Sequence, residues 1–101
     1  MMSRLTVDPR AAKWFEKEFD LEKGYGIRIF GKGYGETNKH VGFSVGISYG
    51  KPEDPYMQTV VDGHPYFVEK EDEWFVAGLD LHIGYDERLE EPTYIFSDEE
   101  Q

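Results

Sequence analysis

The chain has 101 residues, 11 Lys and Arg against 21 Asp and Glu, a formal charge of −10, and no cysteine. That length suits one domain around one core, and the charge argues against a phosphate-backbone binder, whose affinity comes from Lys and Arg displacing counterions. The missing thiols exclude disulfides, thiolate zinc sites, cysteine-ligated clusters and cysteine nucleophiles.

The first residues carry no long apolar stretch of the signal-peptide kind, and no apolar run reaches the ~20 residues that span a bilayer. The expectation is a cytoplasmic protein, a reducing compartment being compatible with a thiol-free chain. An aromatic content of 16% supplies bulk for a core and weighs against disorder.

In chain order, Leu5-Thr6-Val7 reads as a short strand. Asp8-Pro9 reads as a helix start, with an N-cap carboxylate and a proline whose missing N–H is not needed there. Residues 10–19 put Ala11, Ala12, Phe15 and Phe19 on one helical stripe, with Trp14 at its margin. Gly24 ends that segment by accepting a positive φ. Residues 25–30 read as a strand with Ile27 and Ile29 on one face. Residues 31–39 hold three glycines in five positions and read as a loop or sharply bent hairpin connection.

Residues 41–49 return as a strand. Val41, Phe43, Val45 and Ile47 share one face, and Gly42, Ser44, Gly46 and Ser48 form a small-residue face against which something packs. A two-proline loop follows, then a strand over residues 57–61. Asp62-Gly63 predicts a type I′ turn, and residues 64–68 form the return strand, with Pro65 implying an edge or a bulge. Residues 69–75 suggest a helical turn with Trp74 and Phe75 pointing inward. Residues 79–85 alternate cleanly, residues 92–96 form a last strand, and an acidic tail closes the chain. The fold class is α+β, mainly β, with one main N-terminal helix: a single domain over residues 1–97 and a tail over 98–101.

Several constellations bear on chemistry. The glycines at 31, 33 and 35 lack the Walker lysine and do not open a helix, so they do not form a phosphate loop. His40, His64 and His82 have no helical metal-ligand spacing; a metal site would have to combine them with Glu36, Asp80 or Asp86. The acidic stretch 86–91 lacks calcium-loop spacing. Ser44 and Ser48 sit on a strand rather than a nucleophile elbow. The doublets Trp14-Phe15 and Trp74-Phe75 suggest one ring in the core and one at its edge, or a partner-binding patch.

The order of these segments resembles the HesB-like family of A-type iron–sulfur carriers (IscA-like proteins), with its cysteine-poor YneR-like branch nearest. The residues that carry the resemblance are Leu5-Thr6-Val7 with the helix through Ala12-Lys13-Trp14-Phe15, and Ile27-Arg28-Ile29-Phe30 with the glycines. They continue with Gly42-Phe43-Ser44-Val45-Gly46-Ile47, the Asp62-Gly63 hairpin, and the strand ending Gly84-Tyr85-Asp86-Glu87. The resemblance implies mixed β-sheets packed as a sandwich or pseudobarrel, and a link to iron–sulfur cluster biosynthesis. It also implies ligands at one cysteine in the glycine loop and a Cys-Gly-Cys pair near the C-terminus. Here Glu36 takes the loop position, and residues 90–96 carry no thiol.

A carboxylate is a hard ligand where clusters favour soft thiolates. The expectation is therefore a non-catalytic accessory or interaction module with no cofactor, binding a protein partner but neither nucleic acid nor membrane. One alternative is a divalent-metal binder, iron being the metal, with Glu36 joined by histidine or carboxylate partners. Another is a small-molecule-binding domain or enzyme.

Overall fold

The computed structural model describes residues 4–99; residues 1–3 and the last two of the expected tail lie outside the described residues. The chain runs β1 (Leu5–Val7), α1 (Pro9–Phe19), β2 (Gly26–Glu36), β3 (Val41–Gly50), β4 (Pro55–Val61), β5 (His64–Glu69), a 3-10 turn (Lys70–Asp72), α2 (Glu73–Val76), β6 (Leu79–Asp86) and β7 (Glu91–Asp98). Two mixed sheets form, in the orders β1-β6-β7 and β3-β2-β5-β4. The β1–β6 and β2–β5 pairs are parallel and the other neighbours antiparallel.

α1 forms as its sequence directs. The Asp8 carboxylate accepts the Arg10 N–H at 2.8 Å, and Pro9 occupies the first turn. Ala11, Ala12 and Phe15 are fully buried, the two alanines letting the helix backbone lie close to the sheet. Asp20 takes the left-handed conformation (φ 49°) and returns its N–H to the Glu16 carbonyl, which ends the helix. A single core joins this face to Ile27, Ile29, Tyr66 and Val68 of one sheet and Leu5, Leu81, Ile83 and Phe96 of the other. The type I′ turn is present, with φ of 54° at Asp62 and 80° at Gly63.

The structure departs from the sequence reading at five places. β2 does not end at Phe30. It continues through the glycines to Glu36, with a break in register between Gly33 and Glu36, so the connection shrinks to residues 37–40. Gly31 is a packing glycine, because a Cβ there would lie 2.6 Å from the Phe75 ring and 2.7 Å from the Trp74 ring. Pro65 lies on an interior strand rather than an edge. It sits opposite Val60, one residue before β2 begins its pairing at Ile27 and Tyr66, and Gly26 backs onto it too closely for any side chain.

Phe75 is buried as expected, whereas Trp74 is 55% exposed. Finally, β7 extends to Asp98, where it pairs with Leu79, so the start of the expected tail is strand. The small-residue face of β3 meets neither a helix nor a second sheet at Gly46. The Phe30 ring of the adjacent strand fills that space.

The N-cap gives a pH prediction. Arg10, by side chain and by backbone N–H, holds the Asp8 carboxyl at about 2, below its ordinary 3.8. A depressed folded-state value stabilises the fold above the unfolded value and is lost as pH falls through the folded one. Asp8→Asn keeps a capping oxygen and removes the titration. Urea denaturation as a function of pH should show the wild-type protein losing an acid-sensitive component between about pH 4 and pH 2 that the variant lacks. Superimposable curves would contradict this role for Asp8.

Candidate functional site

The turn between β2 and β3 is fastened to the opposite sheet. The Asn38 side chain donates to the Phe96 carbonyl at 2.7 Å and accepts the Phe96 N–H at 3.0 Å. A single amide thus supplies β7 with the pair of bonds a neighbouring strand residue would make. Lys39 adds an ion pair to Asp98 at 3.2 Å.

Thr37 and His40 lock the turn from within. The Thr37 hydroxyl oxygen accepts the N–H groups of Lys39 and His40, each at 3.1 Å, and lies 2.6 Å from His40 Nδ1. His40 Nε2 is 2.7 Å from the Phe75 carbonyl. A carbonyl only accepts, so Nε2 carries the proton and Nδ1 receives the Thr37 O–H. The imidazole also stacks on Phe75, with centroids 4.2 Å apart, and meets Phe96 edge-on. Both ring nitrogens are committed, and His40 is an anchor of the turn.

Beyond this anchor the hairpin presents apolar groups to solvent. Tyr34 is 92% and Val41 93% exposed, and Phe43 packs edge-to-face against the exposed Trp74 at 5.2 Å. Tyr34 has a positive φ of 70° beside the register break. Exposed apolar groups gathered in one place on a highly charged chain mark an interaction surface more often than scattered ones do.

The expected metal-site residues are dispersed. Glu36 stands exposed at the end of β2, opposite Val41. His64 Nδ1 bonds the Tyr25 carbonyl, and His82 Nδ1 meets the Thr6 hydroxyl. Asp80 accepts the Arg4 N–H, and Asp86 accepts those of Arg88 and Leu89. Among the described residues no group of three or more His, Cys, Asp or Glu side chains lies so as to hold a metal ion. The Ser44 hydroxyl bonds the Tyr34 carbonyl.

The described residues form surface grooves. One of about 370 Å³ lies among Arg10, Lys13, Trp14, Lys17 and Tyr85, and one of about 250 Å³ among Arg28, Tyr49, Lys51, Glu53 and Glu69. Among the described residues no helix is long and apolar enough to cross a membrane.

The sequence reading singled out Glu36 and His40 but not Asn38 or Thr37. Their only signal was local, a polar Thr-Asn pair of the type that turns use. The bond to Phe96 joins residues far apart in the chain and becomes visible only when the two sheets are packed.

No protein-family model matches the chain. The pyruvate dehydrogenase inhibitor of Bacillus subtilis (strain 168) is 32% identical over 90 residues, which span 89% of this chain and 95% of that protein. Among solved structures, Escherichia coli SufA, described as involved in biosynthesis of iron–sulfur clusters, is similar in fold. Its TM-score is 0.56 at 21% identity, over 94% of this chain and 80% of SufA. The chain belongs to the HesB-like family, in the YneR-like branch that includes the Bacillus inhibitor.

Removing the Asn38 amide leaves the Phe96 N–H and carbonyl without partners. Asn38→Ala should cost about 1–3 kcal/mol in urea denaturation, and the Phe96 amide should exchange hydrogen faster than in the parent protein. Unchanged stability together with unchanged exchange at Phe96 would show that the clasp does not hold the turn.

Proposed function

We propose that this cysteine-free member of the HesB-like family is a non-catalytic interaction module that binds an enzyme of the pyruvate dehydrogenase type and restrains it. The observation that carries this reading is the apolar hairpin end formed by Tyr34, Val41, Phe43 and Trp74 and held against the opposite sheet by Asn38 and His40. A surface that is both apolar and fixed loses little conformational entropy on binding, and aromatic residues at such a surface contribute more than their share of affinity.

Three further observations support it. The chain has no thiolate with which to carry a cluster, and a lone exposed carboxylate such as Glu36 is not a substitute. The relative that matches along nearly its whole length is named for inhibiting a dehydrogenase. The net charge of −10 favours approach to a basic surface and disfavours acidic competitors.

The test is a titration of the purified chain into a pyruvate dehydrogenase complex from a bacterium, reading NADH formation and binding together. Inhibition is expected. Trp74→Ala and Val41→Asp should each weaken it about tenfold or more while keeping the parent's circular dichroism. Neither binding nor inhibition at micromolar chain would reject the reading.

The metal-binding alternative is separated by anaerobic calorimetry with ferrous iron on the parent chain and on Glu36→Ala. A metal site at Glu36 requires binding to the parent and a loss of about tenfold, ~1.4 kcal/mol, in the variant.

A further inference from the structure

We infer that the outer edge of β3 is a strand-addition site, which takes an extended partner segment of apolar residues flanked by lysine or arginine. The inference deepens the proposed function and rests on the reading of the chain as an interaction module.

The argument begins with how each sheet edge is protected. An exposed edge offers unpaired N–H and carbonyl groups to any passing strand, and folded proteins blunt it with short length, proline, charge, bulges or a covering element. β1 is only three residues long. β4 opens on Pro55, has a register break between Pro55 and Met57, and has β1 beside it. β7 carries Glu91, Pro92 and Asp98, and Asn38 occupies its backbone at Phe96.

β3 has none of these devices along most of its length. In a chain that is 32% charged, Val41–Gly50 contains no Asp, Glu, Lys, Arg or Pro. From Phe43 to Gly50 it pairs with β2 without a break, and among the described residues no strand lies on its other side. Alternate residues of β3 therefore turn their backbone groups away from β2, to an uncovered edge.

The same strand begins in the apolar hairpin end. Phe43 and Tyr49 share one face of the unbroken register, Val41 stands at the start of the strand, and all three are exposed, so an added strand gains backbone bonds along the edge and apolar neighbours beside it. Charge selects the occupant. A second copy would set a charge of −10 against another −10, whereas a segment with basic flanks is attracted.

Hydrogen exchange on the full chain provides the test. The probe is a synthetic peptide of alternating valine and threonine with lysines at both ends. Its controls are an acidic twin ending in glutamates and a version N-methylated at alternate residues. In the free chain, alternate β3 amides should exchange fast. The lysine peptide should protect them, the acidic twin should bind about tenfold more weakly or worse, and the N-methylated peptide should give no protection.

Protection confined to another strand, equal binding by the N-methylated or acidic peptide, or a β3-protected dimer of the free chain by light scattering would each overturn the inference. Dehydrogenase inhibition that persists with β3 saturated by peptide removes the edge as the docking site and leaves the module reading standing. Peptide protection of β3 in a chain that neither binds nor inhibits the dehydrogenase upholds the edge and rejects that enzyme as the partner.

Discussion

The bond pair between the Asn38 side chain and the Phe96 backbone is the contact on which the far end of the β2–β3 hairpin depends. β2 pairs with β5 only at Ile27 and Arg28, so most of the β2–β3 hairpin runs on past the four-stranded part of its sheet. A two-stranded ribbon is at best marginally stable alone. Asn38 and His40 hold its far end, and the rings of Trp74 and Phe75 lie on its middle at Gly31. The near end is gripped by Arg28, whose guanidinium bonds Asp72 at 2.7 Å and reaches Glu71. Segment 70–76 is thus fastened to β2 at two points and becomes the platform for the hairpin. Loss of Asn38 would leave the tip held by His40 and Lys39 alone and would strip the Phe96 backbone of its partner across the two sheets.

This arrangement closes the HesB-like fold without a single thiol. The resemblance to A-type carriers implies cluster thiolates in the glycine loop and near the C-terminus, and this chain has none. Here the hairpin still reaches the C-terminal strand, but the link is an amide to Phe96 and an ion pair from Lys39 to Asp98. Two hydrogen bonds and an ion pair hold this closure. The turn, with the exposed Tyr34 and Val41 beside it, is thereby tied to the opposite sheet and to the Phe75 carbonyl.

Much of this was legible in the sequence, and the limits follow from the range of the interactions. The Asp8-Pro9 start of α1, its Ala11, Ala12 and Phe15 stripe, the Asp62-Gly63 turn and the alternation of β6 are local signals, and each folds as read. The HesB-like segment order carried the sheet packing, which no periodicity contains. The bend read from the glycines is present at Tyr34 and Gly35, but Gly31 was misread because glycine signals both a turn and a place where another group comes close. Which of the two applies at Gly31 depends on Trp74 and Phe75, more than forty residues away. Pro65 was misplaced for a related reason. A proline is excluded from an interior strand only where a neighbour needs its N–H, and β2 begins its pairing one residue later. Asn38 was missed because its partner is a backbone, which has no sequence signature.

The distribution of charge along the strands carries the functional argument one step further. Acidic residues cluster at 69–73, 86–91 and beyond 97, and β7 is bounded by Glu91 and Asp98. If the high negative charge served solubility alone, the exposed edge of the larger sheet would be the first place to put some of it, since edge-to-edge pairing is the main aggregation route for such a sheet. Instead Val41–Gly50 is left uncharged, while like charge on the rest of the surface opposes the pairing of two copies. Global charge then supplies the protection that local charge would normally supply. It does so against other acidic chains only, which leaves the edge open to a partner of opposite sign.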